Sequence, residues 1–458
     1  MPHPTAVILV VGLTRSVIGD HTPRLAAFTR AGVLRTLTPA FPAVTCSVQA
    51  GMTTGAAPAH HGIVGNGWYD RALGEVHFWK QSSGLVESEK VWETARRRDP
   101  SVTTASICWW FNMHTTADFA LTPRPQYTAD GRKIPDCWTR PADLRDHVQS
   151  RLGPFPLFNF WGPGASIASS RWISGAARLT LERHNPTLSL IYLPHLDYAH
   201  QKFGPHSPRS RAAEIELDAV VGDLLDDLSR RGTRCIILSE YGIEPVDRPV
   251  LPNRALREAG FLTVRREIAG EILDLSASRA FAVCDHQAAH VYIRDPADLP
   301  AVADLLRSRP GVQQVLDSAA MAACHIRHRR SGDLLLMSEP GAWFAYPYWL
   351  DDAHAPDFAR TVDIHRKPGY DPCELFIDPR IAIPRLAIAR RLLARRLGFR
   401  SLMDIIPLNP AVVRGSHGRV DQPEPSRPII ITHADRTADT SPLPCTAVRD
   451  VILDHLFN

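Results

Sequence analysis

The chain predicts an α/β fold built on a mostly parallel sheet with helices on both faces, and three observations carry that expectation. Continuous apolar, β-branched runs recur along it: Thr5 to Gly12, Val102 to Cys108, Leu188 to Leu193 and Cys235 to Ser239 read as strands buried on both sides. A long amphipathic pattern from Pro208 to Arg231 lies between the last two, as a crossover between parallel strands requires. Polar clusters follow the carboxyl ends of these strands, where open α/β sheets bind their ligands.

Each element has a local justification. Ala6 to Val11 is apolar without alternation, so it reads as a first, buried strand; it is too short to span a bilayer and lacks the basic lead and small-residue cleavage site of a leader. Thr22-Pro23 opens the next helix and Gly32 closes it. Phe41-Pro42-Ala43-Val44-Thr45 is an extended, Pro-fixed approach that ends at a hydroxyl, and Ala50, Gly51 and Met52 read as the start of a helix. A hydroxyl there meets free N–H groups and the positive dipole end, which favour an alkoxide and bind phosphate. For an isolated Thr at that place a simple N-cap is the better reading.

Two regions break the rhythm. Residues 111–175 are rich in Trp, Pro and Gly and read as a cap over the sheet. Residues 285–378 read as a small α+β insertion, with strands at His290 to Ile293 and Asp333 to Met337 and a helix near Leu299 to Arg309. The expected organisation is therefore a core of 1–284 and 379–458, the cap 111–175 included, interrupted by the insertion 285–378. The helix Ile383 to Leu397 sets Arg390, Arg391, Arg395 and Arg396 beside Leu392, Leu393 and Leu397; it reads first as an ordinary solvated face, with a membrane-surface helix as the lesser alternative.

Composition narrows the class. With 44% hydrophobic and 22% charged residues in 458, the chain can build a large core. A net charge of +4 without a concentrated basic block argues against a nucleic-acid surface. Eight scattered cysteines with no CxxC pair read as buried thiols of a reducing compartment. No stretch reaches membrane-spanning length, so the expectation is a soluble cytoplasmic protein; nothing speaks to its oligomeric state.

The polar clusters line up in order. After Val11-Gly12-Leu13 and the Thr45 turn come Gly55-Ala56-Ala57-Pro58, then His61-Gly62-Ile63 and Asn66. Then follow His195-Leu196-Asp197-Tyr198-Ala199-His200-Gln201-Lys202-Phe203-Gly204-Pro205, Ser239-Glu240-Tyr241-Gly242-Ile243, and late in the chain Gly415-Ser416-His417-Gly418. In this order the chain resembles the type I phosphodiesterase / nucleotide pyrophosphatase family of the alkaline phosphatase superfamily, from about residue 5 to about 432. That family has an Asp-Gly at the first strand's end and a Phe-Pro-x-x-Thr nucleophile turn. Its later motifs are Asp-x-x-Gly-His-x-x-Gly-Pro, Ser-Asp-His-Gly-Met and Gly-x-His-Gly.

The resemblance implies an alkaline-phosphatase-like core, two zinc-type divalent ions, and a Thr that attacks phosphorus. Carried over by position, Thr45 matches the nucleophile, and Asp197 and His417 match ligands of the first metal. The departures fall on the other ligands: Val11 replaces the first Asp, Gln201 stands at a histidine position with His200 one residue early, and Glu240-Tyr241 replaces Asp-His. The second ion keeps at most Thr45 and Glu240, so one divalent ion, zinc by type, is favoured over two. His365, in the loop Asp363 to Asp371, and the Asp285-His286-Gln287 turn are candidate replacement ligands, although a hydrogen-bonded structural role is the favoured reading for each histidine. Lys202, Arg366, Lys367 and Arg419 could neutralise a phosphoryl group, and Tyr241 could serve as a hydrogen-bond donor or acid. Ser47 and Gln49 stand where the family places a phosphate-binding Asn, and Asn66 is a further substrate-binding candidate.

Related chemistries fit less well. Cys46-Ser47-Val48-Gln49-Ala50 lacks the pattern a sulfatase needs to make formylglycine, and no Arg lies between Thr45 and His61 to meet a monoester dianion. The reading is therefore a metal-dependent hydrolase of a small-molecule phosphodiester or pyrophosphate, acting through a phospho-threonine intermediate. The alternatives are a degenerate member that binds a phosphorylated ligand without turnover, and a phosphomonoesterase or phosphotransferase on the same site. Trp109, Trp110, Trp161 and Trp172, with Asn66-Gly67-Trp68-Tyr69, suggest a flat or apolar leaving group, or else core packing.

Overall fold

The computed structural model describes residues 1–433 and 441–458; positions 434–440 of the expected carboxyl-terminal core segment lie outside it. In chain order the principal strands are β1 (Thr5–Val10), β2 (Val33–Thr38), β3 (Thr104–Ile107), β4 (Phe119–Pro123), β5 (Cys137–Arg140), β6 (Leu188–Leu193) and β7 (Arg234–Leu238). They continue with β8 (Ala280–Asp285), β9 (Ala288–Ile293), β10 (Val312–Leu316), β11 (Leu334–Ser338), β12 (Ile429–Thr432) and β13 (Leu443–Pro444). The principal helices are α1 (Pro23–Ala31), α2 (Thr45–Thr54), α3 (Ile167–His184), α4 (His195–Phe203), α5 (Pro208–Arg230) and α6 (Pro384–Arg396).

Nine strands form the central sheet in the order β13-β2-β12-β7-β1-β6-β3-β4-β5. β1 runs parallel to both β6 and β7, in a register that sets Val10 beside Leu193 and Leu9 beside Leu238. This register brings three carboxyl ends to one edge. Every residue of β1 and β6 is buried, which explains why both read as unbroken apolar runs. Helix α5 starts cleanly because the Ser207 side chain accepts from the Ser210 N–H and Pro208 occupies the first turn. It packs against α1, α3 and α4 on the sheet, while the helix Val448–Phe457 packs against α2 and β1.

The region expected as a cap is only partly one. Within residues 111–175, β4 and β5 extend the central sheet at its edge, and α3 begins before the region ends. These strands escape a sequence reading because they are short, carry Pro123 and lie at an edge, where neither alternation nor a long apolar run is required. The insertion also begins earlier than residue 285. Its antiparallel sheet, β8-β9-β11-β10, opens with β8, and its hydrophobic core reaches back to Val250, Leu256 and Phe261.

Seven of the cysteines are buried, Cys324 is exposed, and all eight are free thiols. No helix among the described residues is long and apolar enough to cross a membrane.

Candidate active site

Helix α2 begins at Thr45 itself. Val44 is its N-cap, in extended conformation and without a capping hydrogen bond of its own, so Thr45 is not acting as an N-cap. Its hydroxyl, in a side chain only 4% exposed, lies 3.2 Å from the Tyr241 hydroxyl. Three of the central sheet's polar ends meet around this pair.

From the end of β6, helix α4 presents Asp197 and, one turn later, Gln201 on the same face. The Gln201 amide donates to Asp197 Oδ2 at 2.7 Å, and the Tyr241 hydroxyl donates to Asp197 Oδ1 at 3.3 Å. From the end of β7 comes Glu240, which accepts from the Gln49 amide at 3.0 Å; its Oε1 is buried without a partner. Burial pushes the Asp197 carboxyl up to about 7, against hydrogen bonds from Gln201 and Tyr241 that pull it down. Burial likewise pushes Glu240 up to about 8; the bond from Gln49 and the nearby hydroxyls of Thr45 and Tyr241 oppose this, and the nearby charge of Asp197 adds to it.

His417 closes the floor. Ala43 N–H donates to the Gly418 carbonyl, and His417 Nδ1 donates back to the Ala43 carbonyl at 2.8 Å, tying the histidine to the nucleophile turn. Burial drives this imidazole down to about 3, so it is neutral, and its Nε2 has no partner. The Tyr241 ring stacks on it, with centroids 3.5 Å apart and planes 5° apart.

The insertion supplies the far wall. The β8–β9 turn places His286, in a left-handed conformation, 3.7 Å from the His417 ring and 3.8 Å from the Tyr370 ring. Tyr370 donates to Gln201 Oε1 at 2.8 Å, which completes a chain from Tyr370 through Gln201 to Asp197 and Tyr241. Tyr370 sits in a loop that sequence reading singled out for its acids, its histidine and its cations Arg366 and Lys367; its place beside Gln201 is a long-range consequence of folding, with no local signal.

Of the other expected site residues, Gln49 alone bonds a member of this centre, Glu240. His200 turns away, its Nε2 3.2 Å from Glu214, and packs beside Gly12. Lys202 stacks over Phe203 and Phe376. Ser47 donates to the Pro42 and Val44 carbonyls, and Gln49 is fully used by Glu240 and the Trp110 N–H. Asn66 accepts from the free Cys46 N–H of helix α2 and donates to Asp285, so it ties the helix start to the insertion. His365 and Arg366 line the outer cleft, where Arg366 pairs with Asp363. Lys367 is buried between Asp371 and Glu374, and Arg419 is buried beside Glu244 and Asp421. Both are structural cations. Trp68, Trp110 and Trp161 line the cleft, whereas Trp109 and Trp172 belong to the core.

Among the described residues no three His, Cys, Asp or Glu side chains converge as a metal cradle. The donor chemistry agrees. Val11 cannot ligate, the Gln201 amide nitrogen faces Asp197, and a phenol, Tyr241, stands in place of an imidazole donor. These residues do not fit a two-zinc centre, which needs imidazole and carboxylate donors free to converge.

The arrangement is a threonine hydroxyl at a helix start, on the carboxyl edge of a mostly parallel sheet, with two buried carboxyls close by. The model of the family Type I phosphodiesterase / nucleotide pyrophosphatase matches residues 5–371, and the chain belongs to that family. An uncharacterized pyrophosphatase/phosphodiesterase of Schizosaccharomyces pombe is 26% identical over 235 residues, 49% of this chain and 41% of the relative. The chain thus spans about two fifths of the length of that curated relative. Phosphonoacetate hydrolase from Sinorhizobium meliloti, solved with phosphonoformate, shares the fold with a TM-score of 0.63 at 15% identity, over 99% of this chain and 95% of its own. An inactive variant of murine ectonucleotide pyrophosphatase / phosphodiesterase 5, solved with AMP, gives a TM-score of 0.60 at 14% identity, over 99% and 94%.

Proposed function

We propose that the chain hydrolyses a phosphodiester or pyrophosphate through Thr45. The observation that carries this reading is the Thr45 hydroxyl at the start of α2, 3.2 Å from the Tyr241 hydroxyl that in turn bonds Asp197, with the Glu240 carboxyl beside it. Thr45 Oγ1 forms a bond to phosphorus as the bond to the leaving oxygen breaks. The hydroxyl proton passes to the carboxyl pair, through Tyr241 to Asp197 or directly to Glu240, and the same pair returns a proton to the leaving group. Water then cleaves the Thr45 ester. The N-terminal end of α2 favours the negative charge on the phosphoryl oxygens. Lys80, Lys133 and Arg366 line the outer cleft, where a longer anionic substrate would extend.

The zinc ions implied by resemblance supply no step in this reading, because the donor set does not fit them. A second reading, ligand binding without turnover, is favoured by one observation: Tyr241, at a metal-ligand position, stacks on His417 and holds the Thr45 hydroxyl. Elemental analysis with turnover of an activated diester by wild type and Thr45→Ala tests both. Thr45-dependent turnover without stoichiometric divalent metal supports the hydrolase as proposed. Tight binding of a phosphorylated ligand with no turnover supports the second reading.

A further inference from the structure

Helix α6 has no buried residue. Its outer stripe carries Leu386, Leu393 and Leu397 at helical spacing, 63%, 57% and 65% exposed. Arg390 lies in the same stripe, with Arg385 and Arg396 flanking it. The opposite side is the attached one: Arg391 bonds Asp404 and the Ala387 carbonyl, and Ile388 packs against the core. A solvated surface helix turns its apolar stripe inward and its polar face outward; this one turns leucines to water. Between residues 384 and 400 there are six arginines and neither Asp nor Glu, in a chain whose whole net charge is +4.

The position matters as much as the pattern. Leu392, Arg395, Phe399 and Leu402 line the same cleft of about 2560 Å³ as Thr45. Tyr127 and Phe158, 64% and 62% exposed, line the same cleft. Exposed apolar groups and arginines therefore contribute to its walls.

We infer that α6 and the residues following it dock the protein on an anionic lipid bilayer, the outer stripe of the helix lying in the interface. Leucines flanked by arginines match that surface in both chemistries: the stripe enters the acyl boundary while the guanidinium groups meet phosphate headgroups. A second copy fits less well, because a self-complementary pairing would oppose the arginines of one copy to those of the other. Nucleic acid would use the arginines but leave the leucine stripe in water.

Sedimentation of the full chain with vesicles tests this without any use of Thr45, so its outcome is separate from that of the proposed hydrolysis. Wild type is expected to bind vesicles containing phosphatidylserine and not vesicles of phosphatidylcholine alone, with binding falling as salt rises. Replacing Arg385, Arg390 and Arg396 by Ala is expected to weaken binding on the order of a hundredfold, at about tenfold or less per arginine. Leu386→Ser with Leu393→Ser and Leu397→Ser is expected to abolish it while circular dichroism stays unchanged, these residues being exposed. Equal binding by the arginine variant, or none by wild type, overturns the inference. Light scattering that shows a wild-type dimer separated by the leucine variant, without vesicle binding, overturns it in favour of a second copy.

Discussion

Tyr241 lies flat on His417, 3.5 Å away, and from that position holds its hydroxyl 3.2 Å from Thr45. Within the family's pattern a metal ligand stands where Tyr241 stands. The stacking fixes the ring, so the phenol is pre-positioned between the nucleophile and Asp197. Tyr241→Phe preserves the stack and removes only the hydroxyl. It is expected to lower kcat by roughly a hundredfold with KM little changed. Steady-state kinetics beside a thermal melt check this, and an unchanged kcat would remove Tyr241 from the proton path.

The carboxyl pair sets the pH dependence of activity. Burial holds Asp197 at about 7 and Glu240 at about 8, so both carry protons at lower pH and cannot accept the one from Thr45. Activity is expected to rise as pH increases through 7 to 8, and Glu240→Gln with Asp197→Asn should abolish that limb. A pH–rate profile whose limb falls at the ordinary carboxyl values of 3.8 to 4.5 would contradict it.

Stability should respond to acid in the insertion. His290 bonds the Val64 carbonyl through Nε2 at 3.0 Å and receives the Gly332 N–H at Nδ1, a pairing that requires the neutral ring. Burial lowers it from 6.5 to about 4. With the folded value below the unfolded one, its contribution is present above pH 6.5 and is lost as pH falls toward 4, by about 3 kcal/mol in all. Chemical denaturation of wild type and His290→Asn across this range checks the sign, since the variant should lack that part of the slope.

Lys367 is paired with Asp371 and Glu374, both at 2.6 Å, inside the protein. Glu374 also accepts from the Trp161 indole of the cleft wall at 2.6 Å. Lys367→Met leaves two buried acids without their cation and is expected to cost about 3–5 kcal/mol. Equilibrium denaturation measures this, and a neutral effect would show that the acids take up protons at little cost.

How far these features could be read in advance depends on whether they are local. Leu188–Leu193 was legible to the residue, because a strand buried on both faces leaves an apolar run with no alternation. Thr45, Asp197, Gln201, Glu240 and His417 were legible as candidates because each follows a strand end or a tight turn in family order. The choice between His200 and Gln201 was not, since neighbours on a helix differ only in phase, and the phase of α4 turns Gln201 toward Asp197 and His200 toward Glu214. Neither Tyr370 beside Gln201 nor Lys367 beside Glu374 could be placed. Both depend on how the insertion folds back onto the core, which no nearby residue records.

The central claim is that Thr45 forms a covalent bond to phosphorus, and the most direct measurement is peptide mass mapping after acid quenching during turnover of an activated diester. The account predicts a phosphoryl adduct on the peptide containing Thr45, absent in Thr45→Ala, which should lose at least ~10³-fold in turnover. Undiminished turnover by Thr45→Ala, or an adduct on another residue, would contradict it.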